Sequence, residues 1–183
     1  MKSTITIPNI LSLFRICLIP FIVWVYFDPS IENNLVIVAG LVILSGLTDV
    51  LDGFIARKFN MISDVGKVLD PIADKLTQAT VVFCLATAHT ALIPLIILIV
   101  VKEILMLIGA LLVMRDKNVE TPYARWWGKL ATVMLYALMI IVIIGDYIGH
   151  MPSIVITFIS SVAIAFVFFS FLSYLTIYFK KEK

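Results

Sequence analysis

Charge is scarce in this chain. Lysine, arginine, aspartate and glutamate make up 14% of its 183 residues, against about 25% in soluble domains. Apolar residues reach 62% and mean hydropathy is +1.10. These values exclude an ordinary soluble globular domain. Cysteine is scarce too. Cys17 and Cys84 both lie in apolar runs and are expected to be small buried hydrophobes. They offer neither a disulfide framework nor zinc-ligand spacing. The two histidines, His89 and His150, stand alone at the ends of apolar runs. A net charge of +2 is too small for a nucleic-acid surface. The apolar runs are continuous, which excludes the alternating strands of a membrane β-barrel. No internal repeat or low-complexity segment is visible. The run behind Lys2 contains Arg15 and Pro20 and lacks a small-residue cleavage site, so a retained span is expected rather than a signal peptide.

Long apolar runs are abundant. A bilayer-spanning helix needs about 20 residues, and six runs approach or exceed that: about 9–27, 34–57, 66–88, 91–114, 123–146 and 152–179. The expected fold is an all-α polytopic membrane protein. It has six transmembrane helices in a single membrane domain over 1–183. Basic residues fall at alternate ends of the spans: Lys2, then Arg57, Lys58 and Lys67, then Arg115, Lys117 and Arg125, then Lys180, Lys181 and Lys183. The other three connections carry no lysine or arginine. This pattern puts both termini on the cytoplasmic side of the cell membrane. Pro8 and Asn9 suit the start of the first helix. Arg15, inside the apolar run, can either snorkel to the headgroups or point into a polar cavity; taken alone, it is expected to snorkel.

Against this background one stretch is crowded with charge: DVLDGFIARKFNMISDVGKVLDPIADK, from Asp49 to Lys75, with five aspartates. Asp49 and Asp52 are three apart and share a helix face, with Gly53 and Ala56 on that face and Arg57 at its end. Asp70 and Asp74 are four apart on the next helix, one turn beyond Gly66. Asp64 reads as a solvated helix-end residue. Pro71 reads as a helix-start or kink residue. Two helices joined by a short turn would aim four carboxylates at each other. Such a group cannot stay ionised without counter-charge. All-oxygen ligation suits Mg²⁺, Mn²⁺ or Ca²⁺. Two ions about 4 Å apart would bind a diphosphate. Gly53, Ala56 and Gly66 keep the surface low, and Arg57 can grip a phosphate through two nitrogens.

The eight positions Asp49, Asp52, Gly53, Ala56, Arg57, Gly66, Asp70 and Asp74 resemble, without a gap, the signature of the CDP-alcohol phosphatidyltransferases. The opening ITIPNILSLFR and the six-span layout extend the likeness to nearly the whole chain. The resemblance implies a two-metal centre of Mg²⁺ or Mn²⁺ on Asp49, Asp52, Asp70 and Asp74, with Asp74 also the general base. It implies CDP contacts from Gly53, Ala56, Arg57 and Gly66, a homodimer, and attack of an alcohol on CDP-diacylglycerol with release of CMP. A transporter, the rival reading, would place its charges near the midplane and show internal repeats.

The opening and GKVLDPIADK resemble phosphatidylglycerolphosphate synthases, which implies glycerol 3-phosphate as the acceptor. Lys75, Lys102, Arg125 and Lys129 would then hold its phosphate, although Lys102 could instead pair with Glu103. That resemblance also expects an arginine and a lysine where this chain has Ala110 and Ala131. LTDVLDGFIAR resembles eukaryote-type cardiolipin synthases, whose acceptor is phosphatidylglycerol. Glycerol 3-phosphate is the acceptor expected first.

Overall fold

A polar-to-apolar gradient along one helix face sets the packing of the first two helices. The computed structural model describes residues 6–59, 61, 66–114, 126–149 and 151–180. Helix α1 (Ile7–Phe27) starts with Pro8 in its first turn, where a missing N–H costs nothing. Its buried residues are Pro8, Asn9, Ser12, Arg15, Leu18, Ile22 and Val25, a stripe at three- to four-residue spacing. The stripe is polar up to Arg15 and apolar after it. Asn9 is the third residue of the helix, in the first turn where a helix-start residue is expected, and lies on this stripe. Cys17, expected to be buried, is exposed. Other faces of α1 expose Ile10, Leu13, Phe14, Phe21 and Trp24, as a lipid-facing surface requires.

Helix α2 (Asn34–Lys58) runs the gradient in reverse. It buries Val38 and Val42 first, then Ser45, Thr48 and Asp52. The connection before it is tight. Asp28 Oδ1 accepts hydrogen bonds from the Ser30 amide at 2.9 Å and the Ser30 hydroxyl at 2.5 Å, which holds the Asp28 carboxyl below the usual carboxylate range. Asn33 takes a left-handed φ of 56°, which asparagine tolerates. Asn34 Nδ2 then donates to the Tyr26 carbonyl at 3.3 Å. The two helices therefore run antiparallel, and the polar half of α1 meets the polar half of α2.

Helix α3 (Gly66–Ala88) begins where the sequence places it and buries Ala73, Thr77, Gln78, Val81, Val82 and Leu85. Pro71 lies inside it, five residues after its first residue. These helices belong to one compact unit, residues 1–85 with 139–151. The second unit comprises residues 86–138 and 152–183. There a single 3-10 turn (Thr90–Leu92) leads into α4 (Ile93–Met114). Helix α4 packs on α6 (Ser153–Lys180). It buries Leu95, Ile99 and Lys102, while α6 buries Ile156, Ser160, Ala163, Val167 and Ser170. Helix α5 (Trp126–Gly149) ends on Gly149 with a φ of +149°, a conformation that favours glycine.

Among the described residues four helices are long and apolar enough to cross a membrane: Ile7–Phe27, Asn34–Ala56, Leu130–Gly149 and Ser153–Ser173. That is the make-up of a multi-pass membrane protein. All six expected helices form, with ends within a few residues of those read from hydropathy. Helix α3 carries Lys67, Asp70, Asp74 and Lys75 in its first ten residues, which dilutes its apolar run.

The buried stripe of α1 can be tested directly. Ile22, fully buried, should cost about 2–5 kcal/mol when truncated to alanine. Phe14→Ala, on the exposed face, should stay within about 0.5 kcal/mol. Thermal unfolding in detergent, followed by circular dichroism, checks the pair. Equal midpoints for the two variants would refute this packing.

Candidate metal centre

The antiparallel register brings α1 and α2 together at their polar ends, and α3 adds a third carboxylate. Asp49, Asp52 and Asp70 each offer an oxygen, and the three oxygens lie within 4.8 Å of one another. Asp52 is 2% exposed; Asp49 and Asp70 are half-buried. Three carboxylates at this spacing repel one another strongly, and the counter-charge is Arg15. Its guanidinium is completely buried. Nη1 donates to Asp49 Oδ1 at 2.8 Å and Nη2 to Asp52 Oδ2 at 2.5 Å. Nη2 also donates to Asp70 Oδ1. Arg15 does not snorkel to the headgroups, as its position in an apolar run suggested. It points into the carboxylate cluster, because a half-buried acidic site offers a better partner than the interface.

Two neighbouring residues tune the site. The Ser12 hydroxyl lies 3.3 Å from Asp70 Oδ1 and 3.0 Å from the Pro8 carbonyl and can give its one proton to either. Gln78, 1% exposed, donates from Nε2 to Asp74 Oδ1 at 3.0 Å. Asp74 stands outside the triad, so three of the four expected carboxylates share the close cluster. Its charge is still near enough to act on Asp49.

The donor set fits a divalent cation. Among the described residues Asp52 Oδ1 is buried and has no hydrogen-bond partner, an oxygen that a bound cation would satisfy. Three carboxylates with one guanidinium leave a formal charge of −2, which one divalent ion balances. All-oxygen ligation suits Mg²⁺ or Mn²⁺.

Gly53, Ala56 and Gly66 lie in α2 and α3, all half-buried. Small side chains there leave backbone open to a ligand. Arg57 lies one residue before the end of α2 and Lys129 lies in α5, but their side chains fall outside the described residues, as do Arg125 and Asp64 entirely. Lys75 is half-buried on α3. Lys102 is buried in the second unit, its Nζ 3.2 Å from Glu103 Oε1, which is the ion pair weighed for it in the sequence. Sequence reasoning missed Ser12 and Gln78 and, of the two destinations open to Arg15, put the headgroups ahead of the polar site it reaches. A usable signal existed in α1. Asn9, Ser12 and Arg15 recur at three-residue intervals, a polar line on an otherwise apolar helix.

The sequence profile described as CDP-alcohol phosphatidyltransferase matches residues 5–171. The chain belongs to this family. Among its relatives is a human protein named cardiolipin synthase (CMP-forming), 40% identical over 64% of this chain and 38% of its own length. A Streptomyces coelicolor protein of the same name is 30% identical over 84% of this chain and 72% of its own. A protein from Aquifex aeolicus named CDP-diacylglycerol–glycerol-3-phosphate 3-phosphatidyltransferase is 34% identical over 70% of each chain. This chain thus spans under half the length of the human relative.

Arg15 keeps two carboxylate partners when one of the three is neutralised, and losing one charge relieves repulsion among the rest. In metal-free buffer Asp52→Asn and Asp70→Asn should each change stability by about 1 kcal/mol or less. Chemical denaturation reads both, and a loss of about 3 kcal/mol or more in either would contradict a cluster in excess of negative charge.

Proposed function

We propose that this protein transfers the phosphatidyl group of CDP-diacylglycerol to the hydroxyl of a glycerol-type acceptor and releases CMP. The observation that carries the reading is the triad Asp49, Asp52 and Asp70, held at metal-binding spacing in a chain of this family. In this reading Asp49, Asp52, Asp70 and Asp74 hold two Mg²⁺ or Mn²⁺ ions. Bound there, the ions supply positive charge against the diphosphate and the departing phosphate. Gly53, Ala56 and Gly66 let the cytidine nucleotide approach backbone, and Arg57 holds a phosphate. Asp74, oriented by Gln78, accepts the proton of the acceptor hydroxyl. The hydroxyl oxygen bonds to the β-phosphorus of CDP-diacylglycerol. The bond from that phosphorus to the bridging oxygen breaks, and CMP leaves with the electron pair. All six helices cross the membrane in this proposal, with both termini and the site toward the cytoplasm, and two copies form a dimer.

For the acceptor, two observations favour phosphatidylglycerol. Lys102, a candidate for gripping a free phosphate, is engaged with Glu103. Ala131, where glycerolphosphate-using members carry a second lysine, is a buried small apolar residue. A phosphate dianion would miss both cations, whereas phosphatidylglycerol presents only a glycerol headgroup with a diester. Glycerol 3-phosphate is the second reading, supported by the relative named for that acceptor and by Lys75, Arg125 and Lys129.

Purified protein given labelled CDP-diacylglycerol, Mg²⁺ or Mn²⁺ and a panel of acceptors separates these readings. The panel contains phosphatidylglycerol, glycerol 3-phosphate, inositol phosphate and serine. CMP release with phosphatidylglycerol is expected. Release with glycerol 3-phosphate alone would overturn the acceptor, and no release with any would overturn the reaction. Asp74→Asn should reduce turnover at least about 100-fold with an unchanged unfolding midpoint. Gln78→Leu should lower kcat about tenfold with the KM for CDP-diacylglycerol held, the signature of a group acting on the chemical step.

A further inference from the structure

Arg15 has the properties of a cation already installed in a cation site. It is completely buried, and it bridges all three carboxylates of the triad. It comes from a different helix than any of them. Its own Nε is buried without a hydrogen-bond partner among the described residues, so the guanidinium is placed for the carboxylates at the expense of its own solvation. A helix carrying this charge in an apolar run gains nothing from it alone. We propose that Arg15 is the resident counter-cation of the triad: it holds Asp49, Asp52 and Asp70 together when no divalent ion is bound, and it opposes the ion that binds them. The inference rests on the metal-binding part of the proposed function and names a further residue in that site.

The consequence follows from linkage. A guanidinium and a divalent cation seek the same oxygens and repel each other at close range. Arg15 therefore stabilises the metal-free protein more than the metal-loaded one. By thermodynamic reciprocity, removing Arg15 must strengthen metal binding by the factor by which bound metal relieves the loss of Arg15. An opposite charge within about 4–6 Å shifts an ionisation equilibrium by about one to three powers of ten, and a like charge acts with the opposite sign. A guanidinium whose only task was to pre-arrange the ligands would give the opposite sign, since its removal would weaken metal binding. A guanidinium that served only as a phosphate contact would leave metal affinity unchanged.

The test uses the full chain in detergent with Mn²⁺ as the probe. Free Mn²⁺ is measured by electron paramagnetic resonance, and thermal midpoints are taken with chelator and with saturating Mn²⁺. Arg15→Gln is expected to lower the midpoint in chelator. It should raise the Mn²⁺-induced increment above that of the unaltered protein and lower the half-saturating Mn²⁺ about tenfold. Arg15→Lys keeps the charge but loses the fork that reaches three carboxylates. It should show a chelator midpoint between the other two and a half-saturating Mn²⁺ near the unaltered value. Should Arg15→Gln fold only when Mn²⁺ is present, that dependence supports the proposal; failure to fold even in saturating Mn²⁺ overturns it. Half-saturation unchanged or raised in Arg15→Gln also overturns it. No Mn²⁺ binding by the unaltered protein would remove the metal-binding reading itself, a result distinct from Arg15→Gln binding no more tightly than its parent.

Discussion

One buried guanidinium organises the functional end of the first unit. Arg15 comes from α1, Asp49 and Asp52 from α2, and Asp70 from α3. None of these groups is tolerable there alone. A lone arginine in an apolar helix is expensive, and three carboxylates within 4.8 Å repel. Together they form a group whose members each have a reason to be buried. That interdependence fixes the relative position of three helices at one level of the structure, more specifically than apolar packing can. A guanidinium shared among three acids ties α1, α2 and α3 at one level.

The hairpin of α1 and α2 makes the meeting possible. Both helices change character along their length, α1 from polar to apolar and α2 from apolar to polar. An antiparallel pairing is the arrangement that matches like with like. The short turn from Asp28 to Asn33 enforces it, using the Asp28–Ser30 bonds, a left-handed Asn33 and the Asn34–Tyr26 contact. The turn lies at the opposite end of the hairpin from the carboxylates. Local chemistry at one end of the pair thus sets the register that the charged cluster needs at the other.

Much of this was legible beforehand, for definite reasons. Helix limits follow from hydropathy because a long apolar run has few alternatives to a buried or membrane helix, and α3 starts at Gly66 as expected. Asp49, Asp52 and Asp70 were legible because helical spacing is a rigid ruler within one element. Arg15 was legible only as a choice between headgroups and a polar cavity, because its fate depends on what another helix presents to it, and a sequence pattern carries no contact between α1 and α2. Snorkelling is the favoured outcome for an arginine facing lipid, and the preference fails once an acidic partner is nearer than the headgroups. Gln78 was missed for the opposite reason. It sits one turn beyond Asp74 on the same face, so the spacing was available. A glutamine among Thr77, Ala79 and Thr80 simply does not stand out as a partner for a carboxylate.

The buried residues of α1 and α2 change from polar to apolar with distance from the cluster. With a rise of 1.5 Å per residue, Asp52 lies about 9 Å from the Lys58 end of α2, and Asp70 about 6 Å from the start of α3. Arg15 originates deeper, about 12 Å into α1, but a helical side chain leans toward the N-terminus. The guanidinium is thereby carried back toward the level of the aspartates. The direction expected of a snorkelling arginine is thus realised, with carboxylates as the destination in place of lipid phosphates. Farther from the cluster the buried residues of α1 are Leu18, Ile22 and Val25, while those of α2 pass from Thr48 and Ser45 to Val42 and Val38. The hairpin thus concentrates its buried charge at one end and its apolar packing at the other, so the cluster and the connecting turn constrain α1 and α2 from opposite ends.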